Sequence, residues 1–464
     1  TLQVNSENIA RQSPVNVLGS LQSQAPGVNI VQASGQPGEG FNVNIRGLGT
    51  AGVSTPLYVI DGIAGGDINS LNSSDIESID VLKDAASAAI YGARAANGVV
   101  LITTKQGRKG KITVTYAGSI GWQNPVTNGV KPVSAQDYIK LYNKALETAG
   151  SNPEDFSAQV PHLWNDIQSG AFKGTNWLDL GTNDNALVTN HSINLSSGTD
   201  ASRFAAGVSY MKQEGTLGYP ATPEYTRMTV RLNSDHTVYN NDEFDVIVFG
   251  ENATFTTSTK TGTQIGGIYG NNVHDLLTAT PLLPAYNKNG DYYIFKDMKE
   301  DDWNQDQGIS NPLARLYYEQ KDQESKTDRI QGNTYLEINP IKSLKYKSTF
   351  GFKYFHNESR SYKPVHAISN KSSNDTDDVN QSQRTSRQWS WENTINWIES
   401  FDNHNVDLLV GQSIEKWGYG QSLSATNSVS RFPGQWNNAY ISNTNHPMDP
   451  AESSMSGGPI QQGA

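Results

Sequence analysis

Residues with reactive or metal-binding side chains are scattered along the chain. The eight histidines show no metal-ligand spacing, and the absence of cysteine excludes thiolate chemistry, disulfides and cysteine-based zinc sites. Two acidic runs, residues 300–302 and 374–378, offer the clustered oxygens that calcium prefers, but neither has the register of an EF-hand loop. We interpret both as solvated loops. No Ser-His-Asp or paired-carboxylate constellation can be recognised either, so we predict no metal, no cofactor and no enzymatic activity.

The composition indicates strands with one polar and one apolar face. Hydrophobic residues make up 36% and charged residues 17%, while Tyr (21) and Trp (9) are plentiful. The net charge of −11 argues against nucleic-acid binding, which needs a basic patch. No run of 18 or more apolar residues occurs, so a membrane location would require a closed β-barrel.

Two regions differ in pattern, and we place the domain boundary at residue 110. Residues 1–110 predict a small α/β domain. Its predicted strands cover residues 28–31, 41–45, 56–60, 76–82 and 99–104, and its predicted short helices cover residues 14–24 and 85–91. Residues 111–464 instead show alternation with a period of two.

About nine segments of residues 111–464 alternate between apolar and polar side chains. The clearest apolar faces are those of Ile112 to Trp122, of Trp389 to Trp397 and of Val406 to Ile414. A soluble β-sandwich would alternate in the same way. The intervening stretches favour a membrane barrel, because they are either very short or very long, as in outer-membrane proteins with short turns on one side and long loops on the other.

The N-terminal region carries a long ordered motif. Residues 56–63 read PLYVIDGI, residues 74–85 read SDIESIDVLKDA, and residues 89–105 read AIYGARAANGVVLITTK. Residues 42–47 read NVNIRG. This block closely resembles the plug of SusC/RagA-type TonB-linked outer-membrane transporters of Bacteroidetes. The resemblance is dense over residues 14–122 and looser beyond.

The resemblance implies an α/β plug followed by an antiparallel transmembrane β-barrel of roughly 22 strands. Nine strands are fewer than half of that number, so we expect the chain to be the N-terminal portion of a longer integral protein of the Gram-negative outer membrane. A TonB box is expected upstream. Residues 111–464 would then be the first part of the barrel, with long extracellular loops.

The resemblance also implies a function and partners. We expect active import of a nutrient oligomer, either glycan or peptide, energised by TonB with ExbB and ExbD and assisted by a SusD-like surface lipoprotein. Contact with outer-membrane lipid is expected, and contact with nucleic acid is not. One alternative keeps the fold but carries a siderophore or vitamin. A more distant alternative is a soluble glycan-binding adhesin.

Within the motif, we predict a structural latch that holds the plug. Arg94 has five donors for carbonyls or a carboxylate, and Asp61, Glu77, Asp80 and Asp84 are its candidate partners. Gly92 and Gly98 suit positions of positive φ or close backbone approach. The full set of plug structural or latch candidates is Arg46, Asp61, Gly62, Asp84, Tyr91, Gly92, Arg94, Asn97 and Gly98. Ordinary turn and salt-bridge structure is the competing explanation.

Substrate contacts would come from aromatic and amide side chains on the plug and the long loops. Aromatic faces stack on sugar rings and also contact peptides. The candidates are Tyr292, Tyr293, Trp303, Trp436 and Tyr440. Packing within the loops is an equally good explanation for each of them.

Overall fold

The computed structural model describes most of the chain. The described residues are 2–5, 17–22, 26–32, 34–47, 54–83, 89–126, 129, 131–263, 271, 273–303, 309–401, 404–444 and 453–460. Within these ranges, no helix is long and apolar enough to cross a membrane. Of the predicted site residues, Asp84 lies outside the described ranges.

A small mixed sheet and a separate hairpin form the N-terminal part, which we call the plug. The strands of the plug are β1 (Leu2–Asn5), β2 (Val28–Gln32), β3 (Phe41–Ile45), β4 (Leu57–Ile60), β5 (Ile63–Ala64), β6 (Ile76–Leu82) and β7 (Val99–Thr104). Five of them form one sheet in the order β1-β6-β7-β4-β5, in which β4 and β7 are parallel. The other two, β2 and β3, pair as a separate antiparallel hairpin.

The helical segments in the described part of the plug are short 3-10 turns. They span Val17–Leu21, Ile68–Ser70, Ser73–Asp75 and Ala89–Ala95. The first lies within the helix predicted over residues 14–24, of which residues 14–16, 23 and 24 lie outside the described part. The last is broken at Gly92, which has φ 62° and ψ −150°. Glycine tolerates this backbone conformation because it has no Cβ, and a regular helix cannot continue through it. Residues 84–88 of the second predicted helix lie outside the described part.

The apolar core of the plug joins the sheet to the hairpin. It contains leucines and β-branched side chains from β2, β3, β6, β7 and the 3-10 turns, among them Leu18, Ile30, Ile79 and Val100, each at most 4% exposed. Fully burying such a side chain contributes about 1.5–3 kcal/mol. The apolar side chains of the predicted strands therefore fill the core, although burial along β6 and β7 does not follow a strict period of two.

A large antiparallel sheet follows the plug. We call the side of this sheet that faces the plug the wall. The strands of the sheet are β8 (Gly110–Gln123), β9 (Ala186–Gly198), β10 (Ser202–Glu214), β11 (Glu224–Asn240), β12 (Asp245–Thr261), β13 (Gln323–Ile341), β14 (Leu344–Lys363), β17 (Asp378–Phe401) and β18 (His404–Ser428). Each pairs with the next in chain order, and Ser453–Ile460 (β19) adds a tenth strand beside β18. Two short strands, β15 (His366–Ala367) and β16 (Ser373–Asn374), lie between β14 and β17. The predicted fold class, an α/β plug followed by antiparallel strands of a partial barrel, is confirmed.

The apolar faces predicted from the sequence lie side by side on the outer surface. Trp391 is opposite both Phe350 and Ile414, and Ile395 is opposite both Tyr346 and Val410. Directly opposed aromatic and branched side chains stabilise an antiparallel sheet by about 0.2–1 kcal/mol per pair. These continuous apolar rows fit contact with lipid.

The connections alternate between tight turns and long loops. The turns span residues 199–201, 241–244 and 342–343, whereas residues 124–185 and 262–322 form long loops. The long loops contain helices α1 (Ala135–Thr148), α2 (Phe156–Gln159), α3 (Pro161–Ser169), α4 (Trp177–Leu180), α5 (Asp275–Thr278), α6 (Phe295–Glu300) and α7 (Pro312–Arg315), followed by a π-helical turn, Leu316–Gln320. Trp177, Leu283 and Leu313 pack together in one buried cluster, so these loops share a core.

Candidate functional site

The interface between plug and wall is centred on β11. Side chains alternate along this strand, so Met228, Val230 and Leu232 are exposed on the outer surface. The intervening Arg227 and Arg231 are almost fully buried against the plug. This polar face is built by the same period of two that builds the apolar one.

Arg231 forms the most deeply buried ion pair of this interface. Its Nε lies 3.4 Å from Oδ1 of Asp75 in the plug, and the two side chains are 1% and 2% exposed. The guanidinium also donates to the carbonyl of Lys105 at 2.6 Å and to Oδ1 of Asn194 at 2.9 Å. One side chain thus connects the plug to both β11 and β9.

Polar side chains around Arg231 bind the plug backbone. Arg227 donates to the carbonyl of Asn69 at 2.6 Å, and Asn233 donates to the carbonyl of Lys105 at 2.9 Å. On β12, Thr256 donates to the carbonyl of Ser70 at 2.9 Å. Buried carbonyls need such partners, so these bonds fix the position of the plug as well as its orientation.

Asp61 closes a tight turn and also contacts the wall. Asp61 and Gly62 have φ of 47° and 87°, as a two-residue hairpin turn of the Asp-Gly type requires. The Asp61 carboxylate accepts from the backbone N–H and the hydroxyl of Thr104, both at 2.8 Å, and its carbonyl accepts from Asn333 on β13 at 2.6 Å. Burial leaves the pKa of Asp61 above its ordinary value, although the hydrogen bonds from Thr104 act in the opposite direction. The residue is therefore a turn former and an anchor.

A second group of contacts is more exposed. Lys260 on β12 lies 2.9 Å from Glu39 of the plug, with the side chains 30% and 36% exposed. Arg329 on β13 pairs with Asp67, and these side chains are 33% and 32% exposed. Lys353 on β14 donates to the carbonyls of Ala64 and Gly65, both at 2.8 Å.

Arg94 pairs with the wall and not with the predicted plug carboxylates. Its guanidinium binds the two oxygens of Glu415 on β18 at 2.7 and 2.9 Å and lies 5.2 Å from the ring centroid of Trp417. The predicted partners Asp61, Glu77 and Asp80 are thus corrected to Glu415. Asp61 is occupied by Thr104, and Glu77 pairs with Arg108 at 2.6 Å.

Two cavities lie between the plug and the wall. One has a volume of about 310 Å³ and is bordered by the Lys260–Glu39 and Arg329–Asp67 pairs. The other, of about 260 Å³, is lined by Arg329, Asp67 and Lys353. Further along the wall, a cavity of about 430 Å³ is lined mainly by hydroxyl and amide residues of β13, β14, β17 and β18, among them Ser359, Ser382 and Asn380.

The remaining plug candidates occupy turns and close contacts. Arg46 has φ 57°, and Tyr91 packs beside the buried cluster of Val59 and Val99. Gly98 has φ 88°, and a Cβ there would lie 2.7 Å from Ile45. Half-buried Asn97 precedes it. A latch role for any of these residues stays a prediction.

The substrate-contact candidates are divided between two loop clusters. Tyr293 is 3% exposed and donates its hydroxyl to Asp301 at 2.9 Å, and Tyr292 and Trp303 pack around the same cluster. Trp436 and Tyr440 flank the guanidinium of Arg360 at 3.9 and 4.1 Å from their ring centroids. No candidate lines the three cavities described above.

Acidic residues of the two predicted loop runs have partners in the protein. Asp377 accepts from the Tyr362 hydroxyl at 2.9 Å and from the backbone N–H of Ser430 at 2.8 Å. Asp301 accepts from Tyr293. Among the described residues, no group of three or more His, Asp or Glu side chains is arranged to hold a metal ion.

Comparison with known proteins identifies the family. The model of the TonB-dependent Receptor Plug Domain matches residues 1–99. TonB-dependent receptor P39 of Formosa agariphila is 31% identical over 451 residues, which are 96% of this chain and 39% of that protein. TonB-dependent receptor SusC of Bacteroides thetaiotaomicron is 27% identical over 328 residues, which are 67% of this chain and 29% of that protein.

A solved structure shows the same fold. A chain of the RagAB peptide importer in its closed-closed state superposes with a TM-score of 0.78 at 22% identity, over 99% of this chain and 51% of that one. The chain belongs to the outer-membrane TonB-dependent receptors. Within that class, it resembles SusC in sequence and shares the fold of the RagAB chain. The chain spans 39% of the length of P39 and 29% of the length of SusC.

Proposed function

We propose that the full-length protein imports a nutrient oligomer, a glycan or a peptide, across the outer membrane by TonB-dependent active transport. TonB, energised by ExbB and ExbD, would displace the plug. A SusD-like lipoprotein would capture the oligomer at the cell surface. The chain described here would supply the plug, with its boundary at residue 110, and the first part of the barrel.

The observation that carries the proposal is the polar character of the plug–wall interface. Arg227, Arg231, Asn233 and Thr256 hold the plug through hydrogen bonds and an ion pair. Water can replace such bonds when the plug moves, whereas a separating apolar interface would lose about 25 cal/mol per Å². An interface of this kind suits a plug that is held firmly and displaced reversibly.

The composition of the lumen favours a polar cargo over an apolar one. The 430 Å³ cavity is lined by residues such as Ser359, Ser382, Asn380 and Thr426. Hydroxyl and amide groups of this kind bind the hydroxyls of sugars and the amides of peptides. The RagAB relative is described as a peptide importer, which supports a peptide cargo and a lipoprotein partner by analogy.

Deletion and binding experiments test this function. The gene would be deleted in the native host, and growth would be measured with defined glycans or peptides as the sole nutrient. The full complex purified from its native membrane would then be analysed for bound cargo and for co-purifying lipoprotein. Loss of growth on one class, rescued by the gene and not by a variant unable to engage TonB, is the expected result.

A siderophore or vitamin receptor of the same fold is the second candidate. Tight binding of a ferric chelate by the intact complex, without binding of any glycan or peptide, would reject the oligomer proposal in its favour. The soluble adhesin has no support, because the chain belongs to an outer-membrane receptor family.

A further inference from the structure

The wall presents a row of cations to the plug. We call Arg227 and Arg231 on β11, Lys260 on β12, Arg329 on β13 and Lys353 on β14 the wall cation band. Four consecutive strands therefore each direct at least one cation at the plug. Positive charge is thus concentrated at the band, whereas the chain as a whole has a net charge of −11.

The partners of the band belong to the plug. Asp75, Glu39 and Asp67 supply carboxylates to Arg231, Lys260 and Arg329. Among the described plug residues, the partners of Arg227 and Lys353 are carbonyl oxygens, of Asn69 and of Ala64 and Gly65. The polarity is reversed at β18, where the plug contributes the cation Arg94 and the wall contributes Glu415.

Displacement of the plug separates the cations of the band from their partners. The cations are fixed to the barrel strands, whereas their carboxylate and carbonyl partners leave with the plug. The five side chains of the band then present positive charge to the open lumen, which attracts an anionic solute and raises its local concentration. A neutral solute gains nothing from this field.

Two band pairs are accessible before the plug moves. The Lys260–Glu39 and Arg329–Asp67 pairs are about one-third exposed and border the 310 Å³ cavity, and Lys353 lines the adjoining cavity together with Arg329. Exposed ion pairs contribute little net stability, so an incoming anion can exchange with the plug carboxylate at small cost. The buried Arg231–Asp75 pair is closed to such exchange.

We propose that the wall cation band selects a cargo that carries carboxylate or sulfate groups, and that these groups replace Glu39 and Asp67 on Lys260 and Arg329. This inference rests on the proposed import function and narrows its cargo to anionic oligomers. A uronic or sulfated glycan and an acidic peptide share the required chemistry.

Binding of matched probes to the full-length receptor tests the inference. The probes are short dextran sulfate and unsulfated dextran of equal chain length, and oligoglutamate and oligoglutamine of equal length. We expect one of the two anionic probes to bind and its neutral counterpart not to bind. The source that binds, glycan or peptide, identifies the cargo class.

Substitution of the exposed band members gives the second readout. In the triple variant Lys260→Gln, Arg329→Gln, Lys353→Gln, binding of the anionic probe should weaken about tenfold at low salt, because three partly exposed charges are lost. Lys212→Gln is the matched control. Lys212 is 28% exposed and paired with Glu224 at 2.8 Å, but it lies on β10 on the opposite face from buried Met211.

Either of two results overturns the inference: equal binding of charged and neutral probes, or equal binding by the triple variant and the Lys212→Gln control. The purified variants are first compared with the parent by circular dichroism and thermal unfolding, so that misfolding is recognised. Nutrient-dependent growth is scored separately. Growth that persists without anion preference rejects the inference and leaves the import function intact.

Discussion

The plug is held by two kinds of contact that use the same side-chain chemistry in different surroundings. On β11, Arg231 and Asp75 are 1% and 2% exposed and lie within a network of hydrogen bonds. On β12, Lys260 and Glu39 are 30% and 36% exposed and border a cavity. Burial, and not the presence of an ion pair, distinguishes a fixed anchor from an exchangeable contact.

The energetics follow from desolvation. Removing one partner of a buried pair leaves an uncompensated charge in a low-dielectric site and costs about 3–5 kcal/mol, whereas an exposed pair contributes about 0–1 kcal/mol. We therefore expect β11 to be the side on which the plug stays attached longest. The β12–β14 side should respond first to ligands and salt.

The largest effect is expected for Arg231→Ala. This change leaves Asp75 buried without its cation and removes the bonds to Lys105 and Asn194, so the plug should lose about 3–5 kcal/mol of docking free energy. Thermal unfolding of the full-length receptor and cell sensitivity to a large antibiotic would measure the loss. Lys212→Ala, on the opposite face of the adjacent strand, is the control. An unchanged unfolding temperature for Arg231→Ala would show that the buried contact on β11 holds the plug no more strongly than the exposed contacts on β12 to β14.

A smaller effect is expected where the plug loop meets β11. Gly38 has φ 69°, and a Cβ there would lie 2.5 Å from the ring of Tyr225. Gly38→Ala should cost about 1–3 kcal/mol, because a rigid ring must move in addition to the backbone strain. Gly65→Ala has nearly the same φ, 71°, but its Cβ would meet the flexible end of Lys353 at 3.0 Å. Equal destabilisation of the two variants would show that the β11 contact is no tighter than the β14 contact.

The strands and their faces could be predicted from local sequence. Trp391 and Ile414 were assigned to apolar faces by their period of two, and the structure pairs them directly. Asp61 and Gly62 directly follow the strand predicted over residues 56–60 and form its turn. The alternating polar set of β11 was also visible, since Arg227 and Arg231 alternate with Met228 and Val230, but its burial was not.

Partners distant in sequence could not be predicted. Arg94 and Glu415 are 321 residues apart, and their meeting depends on the register of all the strands between them. The helices of the first long loop were missed for a different reason. Ser134 caps α1 by accepting from the Asp137 N–H, which is a local helix signal that the search for period-two strands did not use.

The exposed latch is predicted to have a modest, salt-sensitive effect. Arg94→Ala removes a bidentate pair in which Arg94 is 37% and Glu415 is 11% exposed, so we expect a loss of about 1 kcal/mol. Cells should become slightly permeable to a large antibiotic, less than with Arg231→Ala, and high salt should produce part of the same leak in the parent. Unchanged leakage together with normal uptake would contradict a latch role for Arg94.

The smallest effect is expected in the loops, where a third ion pair tests whether partial burial gives intermediate behaviour. Nε2 of His366 lies 3.6 Å from Oε1 of Glu319, with the side chains 4% and 15% exposed. Burial alone would raise the pKa of Glu319, but the hydrogen bonds from His366 and Ser372 dominate and lower it to about 2. Burial opposes protonation of His366, but the partnership with Glu319 and the Pro364 carbonyl leaves its pKa raised.

The two pKa shifts make the stability of this loop depend on pH in opposite directions. The stabilisation from Glu319 is present above the ordinary glutamate pKa and is lost as pH falls through about 2. The stabilisation from His366 is present below the ordinary histidine pKa and is lost as pH rises through its raised value. Amide hydrogen exchange at Ile368, which donates to the Ser372 carbonyl at 2.9 Å, should therefore accelerate at alkaline pH beyond the intrinsic rate. Glu319→Gln should abolish the extra acceleration, and an identical pH profile in parent and variant would show that this pair, unlike Arg231 and Asp75, does not fix its surroundings.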